Sequence, residues 1–308
     1  MAAIIVGLIL LGVAWLQWPS FERRPGDCLR REEYPNLFAL VDEVAAVLAI
    51  RAEILLRANY DYNARLSEVT WRRTPVVTLG MGLWKVAGPQ ERIALIAHEL
   101  AHRANGDPVR RQVVWIALNV LDEWEKLLGQ DPDSIGGEHY GGIVKMVMAL
   151  LAGIVRLVRR TIVQFLYLDS QRAEYFADFL AARVAGTDAT LALLRKNRFS
   201  ESLKSFLFER VSLSDATRTG VYTLFRSFVE TMPRNEDERL VRCQMSETSQ
   251  IDSTHPPTLF RIRFLMAHPL EPGIVFRSPA EWEEIDQEIV PLELALSDSL
   301  MAHYFGER

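Results

Sequence analysis

Residues 98–102 read His98-Glu99-Leu100-Ala101-His102. Two imidazoles four positions apart share one face of a helix, so both can reach a single metal ion. Glu99 sits about 100° around such a helix from His98, near enough to take a proton from a water on that metal. The chemistry implied is hydrolysis by a metal-activated water. Ile93, Ile96, Ala97, Leu100 and Ala104 supply the apolar pattern that would hold the helix in a core while its histidines face a cleft. The chain has six histidines in 308 residues. At that frequency the five-residue pattern arises by chance in roughly one chain in a hundred.

A catalytic zinc site takes three protein ligands and keeps a fourth position open. The two histidines leave it one short. One familiar extension requires Gly three residues and His six residues after the second histidine. Those positions are Asn105 and Pro108. The third ligand must come from elsewhere, and a carboxylate on a second helix is the usual solution. Residues 170–178 offer Glu174 and Asp178, four apart on one helical face. Phe176, Phe179, Leu180 and Val184 would bury another face. On spacing alone, Glu174 is also readable as a partner of Arg172 or of solvent.

These side chains need elements to position them. The periodicity predicts a helix over 34–48, with Leu37, Leu40, Val41, Val44 and Leu48 on one face. Short runs of strand character follow at 53–57, 66–71 and 75–79. Gly88-Pro89 opens the His98 helix, because Pro suits a first helical turn. Asn105-Gly106 stops it near Ala104. A helix from Asp107-Pro108 to about Leu128 comes next, then a polar loop over 130–142. Residues 143–186 read as strongly helical with a break near Leu168 to Ser170. Within them, residues 146–155 are apolar and bracketed by Lys145, Arg156, Arg159 and Arg160. That stretch is too short and too closely flanked by charge to span a bilayer. A core helix is the expectation, with a helix lying on a membrane as the alternative.

The composition is globular, with 49% hydrophobic and 24% charged residues. A net charge of −5 gives no nucleic-acid signature. Two cysteines, Cys28 and Cys243, exclude a disulfide scaffold and a four-cysteine zinc finger. Free thiols are the expectation and one bridge the alternative. The mean hydropathy of +0.03 is high for a soluble chain. Residues 2–18 are apolar apart from Gln17, include Trp15 and Trp18, and are followed by Arg23, Arg24, Arg30 and Arg31. A transmembrane anchor over 1–20 is the expectation, with the body at 21–308 on the cytoplasmic side. A signal peptide and a buried N-terminal helix are the alternatives.

The chain resembles the membrane-associated zinc metallopeptidases that include HtpX-type quality-control proteases and CAAX prenyl proteases. The resemblance runs from about Glu33 to about Ile262. It rests on Glu33-Tyr34-Pro35-Asn36-Leu37, Asn63-Ala64, residues 97–107, Arg172 through Asp178, and His255-Pro256-Pro257 with Arg261-Ile262. It implies that Glu174 is the third zinc ligand and that Asp178 orients a ligating histidine. It also implies that His255 donates to the oxyanion of the transition state. Two readings stand for His255, this one and an ordinary loop histidine. Asn63, between two strand-like runs, either bonds a substrate backbone or forms a turn. The chain departs from the family in offering one convincing span at most, with the charged, amphipathic stretch 107–168 where the family carries its middle hydrophobic pair.

The expected fold is α+β and mostly α. It is a zincin-like domain with a small sheet before the His98 helix, preceded by the apolar N-terminal helix. The expected activity is zinc-dependent endopeptidase action on a protein or peptide substrate, with one Zn2+ per chain and with the membrane as partner. A zinc-stabilised scaffold that does no chemistry is the rival reading. The strand at 75–79, or its neighbour, is expected to pair with extended substrate.

Overall fold

The computed structural model describes residues 27–69, 73–129, 142–211, 220–246 and 256–306. The apolar run at 2–18 lies outside them. The described residues are mostly helical, with one small sheet. Helix α1 (Pro35–Val47) precedes strands β1 (Leu55–Asn59), β2 (Ala64–Val69) and β3 (Thr74–Gly80). A short helix α2 (Met81–Val86) then leads into α3 (Pro89–Ala104), which carries the two histidines. After it come α4 (Asp107–Gly129), α5 (Gly142–Ala185), α6 (Thr187–Lys196) and α7 (Ser200–Phe206). The chain continues with α8 (Val221–Glu230), α9 (Arg234–Met245), α10 (Thr258–Ala267) and α11 (Pro279–Phe305).

The chain divides into two compact units. One comprises residues 24–107 with 170–308. The other contains 108–169. The division falls inside α5, at Asp169 and Ser170, where the sequence predicts a break. The helix itself is continuous from Gly142 to Ala185. No proline or glycine stands at 168–170, so nothing there removes a backbone hydrogen bond.

In the sheet β3 is central, parallel to β1 and antiparallel to β2. This corrects one expectation. Residues 75–79 have both edges paired and cannot add a substrate strand. The neighbours β1 and β2 are the edges. Central placement suits the composition of β3, whose Val76, Val77, Thr78 and Leu79 are all buried.

β3 ends at Gly80, whose N–H donates to the carbonyl of Asn63 at 2.7 Å. A Cβ at Gly80 would run into the backbone oxygens of Asn63 and Asp61. Only glycine lets the β1–β2 turn close over the end of β3. Gly80→Ala is expected to destabilise the protein by about 1–3 kcal/mol, the usual cost of forcing extra volume into a packed site. Denaturant unfolding checks this, and an unchanged midpoint would show that the turn yields freely.

Helix α3 is held from both sides. At its start the Gly88 N–H donates to the Glu91 carboxylate at 2.7 Å, and Pro89 sits in the first turn. At its end Gly106 adopts a left-handed φ of 75°, as the Asn105-Gly106 stop requires. Ile93, Ile96 and Leu100 are fully buried in the main core, which they share with Ala181, Val184 and Ala185 of α5. Ala104 is exposed, outside the apolar face predicted for it. Arg92 is buried beside Trp84 and Trp282 and pairs with Asp286 at 2.7 Å. Burying that aliphatic stem and fixing its head leaves α3 little freedom to rotate.

Candidate metal centre

Helices α3 and α5 bring three ligand side chains to one point. His98, His102 and Glu174 are all buried, and one donor atom from each lies within 4.8 Å of the others. The Glu174 carboxylate is 3.5 Å from His98 Nε2 and 3.6 Å from His102 Nε2. Those separations are long for hydrogen bonds. They suit ligands of one tetrahedral ion, which at bond lengths of 2.0–2.1 Å stand on the order of 3.3 Å apart. A buried donor set of two imidazoles and one carboxylate therefore fits a divalent cation.

Each imidazole turns its other nitrogen to a carboxylate. His98 Nδ1 lies 3.1 Å from Asp178, and His102 Nδ1 lies 2.9 Å from Asp107. A carboxylate at Nδ1 fixes the ring orientation and aims Nε2 at the metal position. Burial lowers the pKa of His98, but the Asp178 and Glu174 carboxylates at its two ring nitrogens override this and push it up to about 10. A cation taken up at Nε2 therefore displaces a proton.

Asp178 is itself clamped. Arg261 of α10 donates to its two oxygens at 2.7 and 2.6 Å and approaches Glu174 at 3.5 Å. Burial pushes the Asp178 carboxyl up, while the Arg261 guanidinium outweighs it and holds the group below the usual carboxylate range. The pair is almost wholly buried, so it needs this bidentate geometry to offset desolvation.

Glu99 lies on α3 at the wall of a cavity of about 550 Å³ that also reaches His98, Asn63, Pro256 and Pro257. Asn63 stands in the turn before β2 and lines the same cavity. His255 lies outside the described residues. Its neighbours Pro256 and Pro257 bring the chain to the cavity wall, far in sequence from Glu174.

Two residues of this centre carry no predicted role in the sequence reading. Asp107 had a weak signal, an acidic residue directly after the Asn105-Gly106 stop. Its other oxygen accepts from Asn105 Nδ2 at 2.7 Å. Arg261 had no spacing signal, because α10 meets α5 only in the folded chain. The face of α5 also differs from expectation. Phe176 is exposed, while Ala173, Glu174, Ala177, Asp178 and Ala181 are buried. Pairing in the centre makes burial of two carboxylates tolerable. Cys28 and Cys243 are both free thiols.

Asp107→Asn should lower metal affinity about 10–100-fold, the usual effect of removing a ligand's outer hydrogen-bond partner. Competition with a chromogenic chelator measures it. Unchanged affinity would reduce Asp107 to a helix-start residue.

The chain is 28% identical over 246 residues to "Protease HtpX homolog" of Pyrobaculum calidifontis, covering 77% of this chain and 69% of that protein. It is 30% identical over 179 residues to "Protease HtpX" of Pseudomonas entomophila, covering 56% and 59%. A "Protease HtpX" of Stutzerimonas stutzeri is 29% identical over 146 residues, covering 46% and 50%. Against the two HtpX proteases of Pseudomonas entomophila and Stutzerimonas stutzeri, the chain spans about half to three-fifths of the relative's length. Residues 36–268 match the sequence model of Peptidase family M48, a span that contains both histidines, Glu99, Glu174 and Arg261, and the chain belongs to that family.

Proposed function

We propose that this chain is a zinc-dependent endopeptidase with a zincin-like catalytic domain. The observation that carries the reading is the convergence of His98, His102 and Glu174 beside a cavity walled by Glu99. His98, His102 and Glu174 hold one Zn2+. When bound, the ion polarises a carbonyl and lowers the pKa of its water to about 7. Glu99 takes a proton from the attacking water and delivers it to the leaving amine. Asp178 and Asp107 keep the two imidazoles in the tautomer that offers Nε2. His255 donates to the oxyanion as it develops. Asn63 and the edge of β2 position an extended substrate by backbone hydrogen bonds. A purely structural metal site needs no base beside its ligands, so Glu99 favours the enzyme over a scaffold.

The biological role proposed is quality control or processing of membrane-associated proteins. Residues 1–20 anchor the chain in a membrane, with the catalytic domain over 21–308 on the cytoplasmic side. Among the described residues no helix is long and apolar enough to cross a membrane. The anchor therefore rests on the apolar run at 2–18 and the arginines after it.

Digestion of an unfolded protein substrate tests the activity. Cleavage should stop with a chelator and return with added zinc. Cleavage that is indifferent to chelation, or no cleavage of any peptide by the zinc-loaded chain, would sink the proposal. Carbonate extraction tests the anchor: the full chain should stay with membranes, and complete release would refute anchoring through 2–18.

A further inference from the structure

Strand β2 carries an acid on its core-facing side. Side chains alternate along a strand, so Ala64, Leu66 and Glu68 share one face. Ala64 and Leu66 pack against the main core, and Glu68 continues that face with a side chain only 8% exposed. Its partner is Arg103 of α3, whose Nε lies 3.2 Å from Glu68 Oε1. Both atoms are shut off from water, and neither has another hydrogen-bond partner among the described residues. Burial pushes the Glu68 carboxyl up, and the Arg103 guanidinium opposes it. Neither residue belongs to the metal centre.

Arg103 continues a row of α3. Leu95, Glu99 and Arg103 are spaced by four, on one side of the helix. Leu95 and Glu99 line the cavity together with Ala64, at the start of β2. From Ala64 to Glu68 the strand covers about 13 Å at 3.3 Å per residue. From Leu95 to Arg103 the helix covers about 12 Å. The strand therefore runs beside the row that carries Glu99. Its inner edge pairs with β3 from Ala64 to Val69. Its outer edge pairs with no strand among the described residues. The near end of β2 is held by the Gly80 N–H on the Asn63 carbonyl, and the far end is tied to α3 by Glu68 and Arg103.

We propose that Glu68 and Arg103 are positioning residues for substrate. Their ion pair pins the far half of β2 to α3 and holds its outer edge ready for an extended peptide. The inference rests on the peptidase reading above and adds two residues to it. Neither touches the peptide or the metal; both act through the strand. An edge already held in place costs less ordering when a peptide pairs with it. The gain reaches only a peptide long enough to lie along residues 66–68. A short peptide, held at the metal and in the cavity, gains nothing from the pin.

The test uses the full, zinc-loaded chain carrying Glu99→Gln, so that bound peptides persist. The probes are proline-free peptides rich in Val and Thr, which favour extended backbone, with a hydroxamate at one end to ligate the metal. One is a dipeptide and the other a decapeptide, each made with the hydroxamate at the first or at the last residue. Glu68→Gln together with Arg103→Met removes the ion pair, leaves no buried charge alone and keeps an aliphatic stem at 103. Arg103→Lys keeps the pair. Zinc content and thermal unfolding confirm that each chain is folded. In one of the two series the double variant should raise the decapeptide Kd on the order of 10-fold, the equivalent of ordering one or two side chains. The dipeptide Kd should not change, and Arg103→Lys should bind the decapeptide as the parent does. Equal losses for both lengths, or loss of zinc, would make the pair a support of the metal centre and overturn the proposal. An unchanged decapeptide Kd in both series would overturn it as well. A dipeptide hydroxamate that fails to bind even the parent chain would instead sink the metal reading, and this proposal with it.

Discussion

Glu99→Gln is expected to lower turnover at least ~10²-fold while leaving the fold and metal content unchanged. Glutamine keeps the volume and the hydrogen-bonding reach of glutamate but cannot accept and return a proton. Glu99 is buried to within 8% and lies at the cavity wall beside His98. It is not among the three side chains whose donor atoms converge, so its replacement should not release metal. Turnover and zinc content measured on one preparation separate these roles. Near-normal turnover would reject Glu99 as the base. Loss of zinc would make it a ligand.

The second large effect is expected from Glu174→Ala. Its carboxylate is fully buried between the two Nε2 atoms, and it is the one anionic member of the ligand set. Without it, two imidazoles and the nearby Arg261 guanidinium face an incoming cation. Metal affinity should fall by more than the ~10–100-fold that loss of an outer partner costs. The Asp178–Arg261 pair remains, so the chain retains a folded α5–α10 contact. Metal analysis after dialysis reads the outcome, and thermal unfolding with added zinc gives a second readout. A ligand that binds only the folded state raises its stability, so the variant should lose most of that rise. His98→Ala should behave alike. Full zinc occupancy in both variants would remove the assignment.

The part of this centre that lies on one helix was legible in the sequence. His98, Glu99 and His102 are separated by helical periodicity alone, and Gly88-Pro89 and Asn105-Gly106 mark the ends of α3 within a residue or two. The second helix was half legible. Spacing put Glu174 and Asp178 on one face but could not decide whether that face was wet, and resemblance supplied the assignment. Phe176 misled, because it faces out, while Phe179 and Leu180 are half-buried and Val184 is buried as expected. Arg261 belonged to the resemblance but carried no role there, since its pairing with Asp178 exists only where α10 meets α5. The sheet order was equally hidden. The local pattern marks strands, but the central position of β3 depends on which edges pair, and a parallel β1–β3 pairing has no short-range signature.

Coordination of bound zinc tests the central claim most directly. X-ray absorption at the zinc edge of the full, metal-loaded chain reads ligand type and number. One zinc per chain is expected, bound by two imidazole nitrogens, one carboxylate from the protein and a solvent oxygen in the remaining position. A fourth protein ligand closing the site, a thiolate sulfur in the shell, or a chain that takes up no zinc would contradict it.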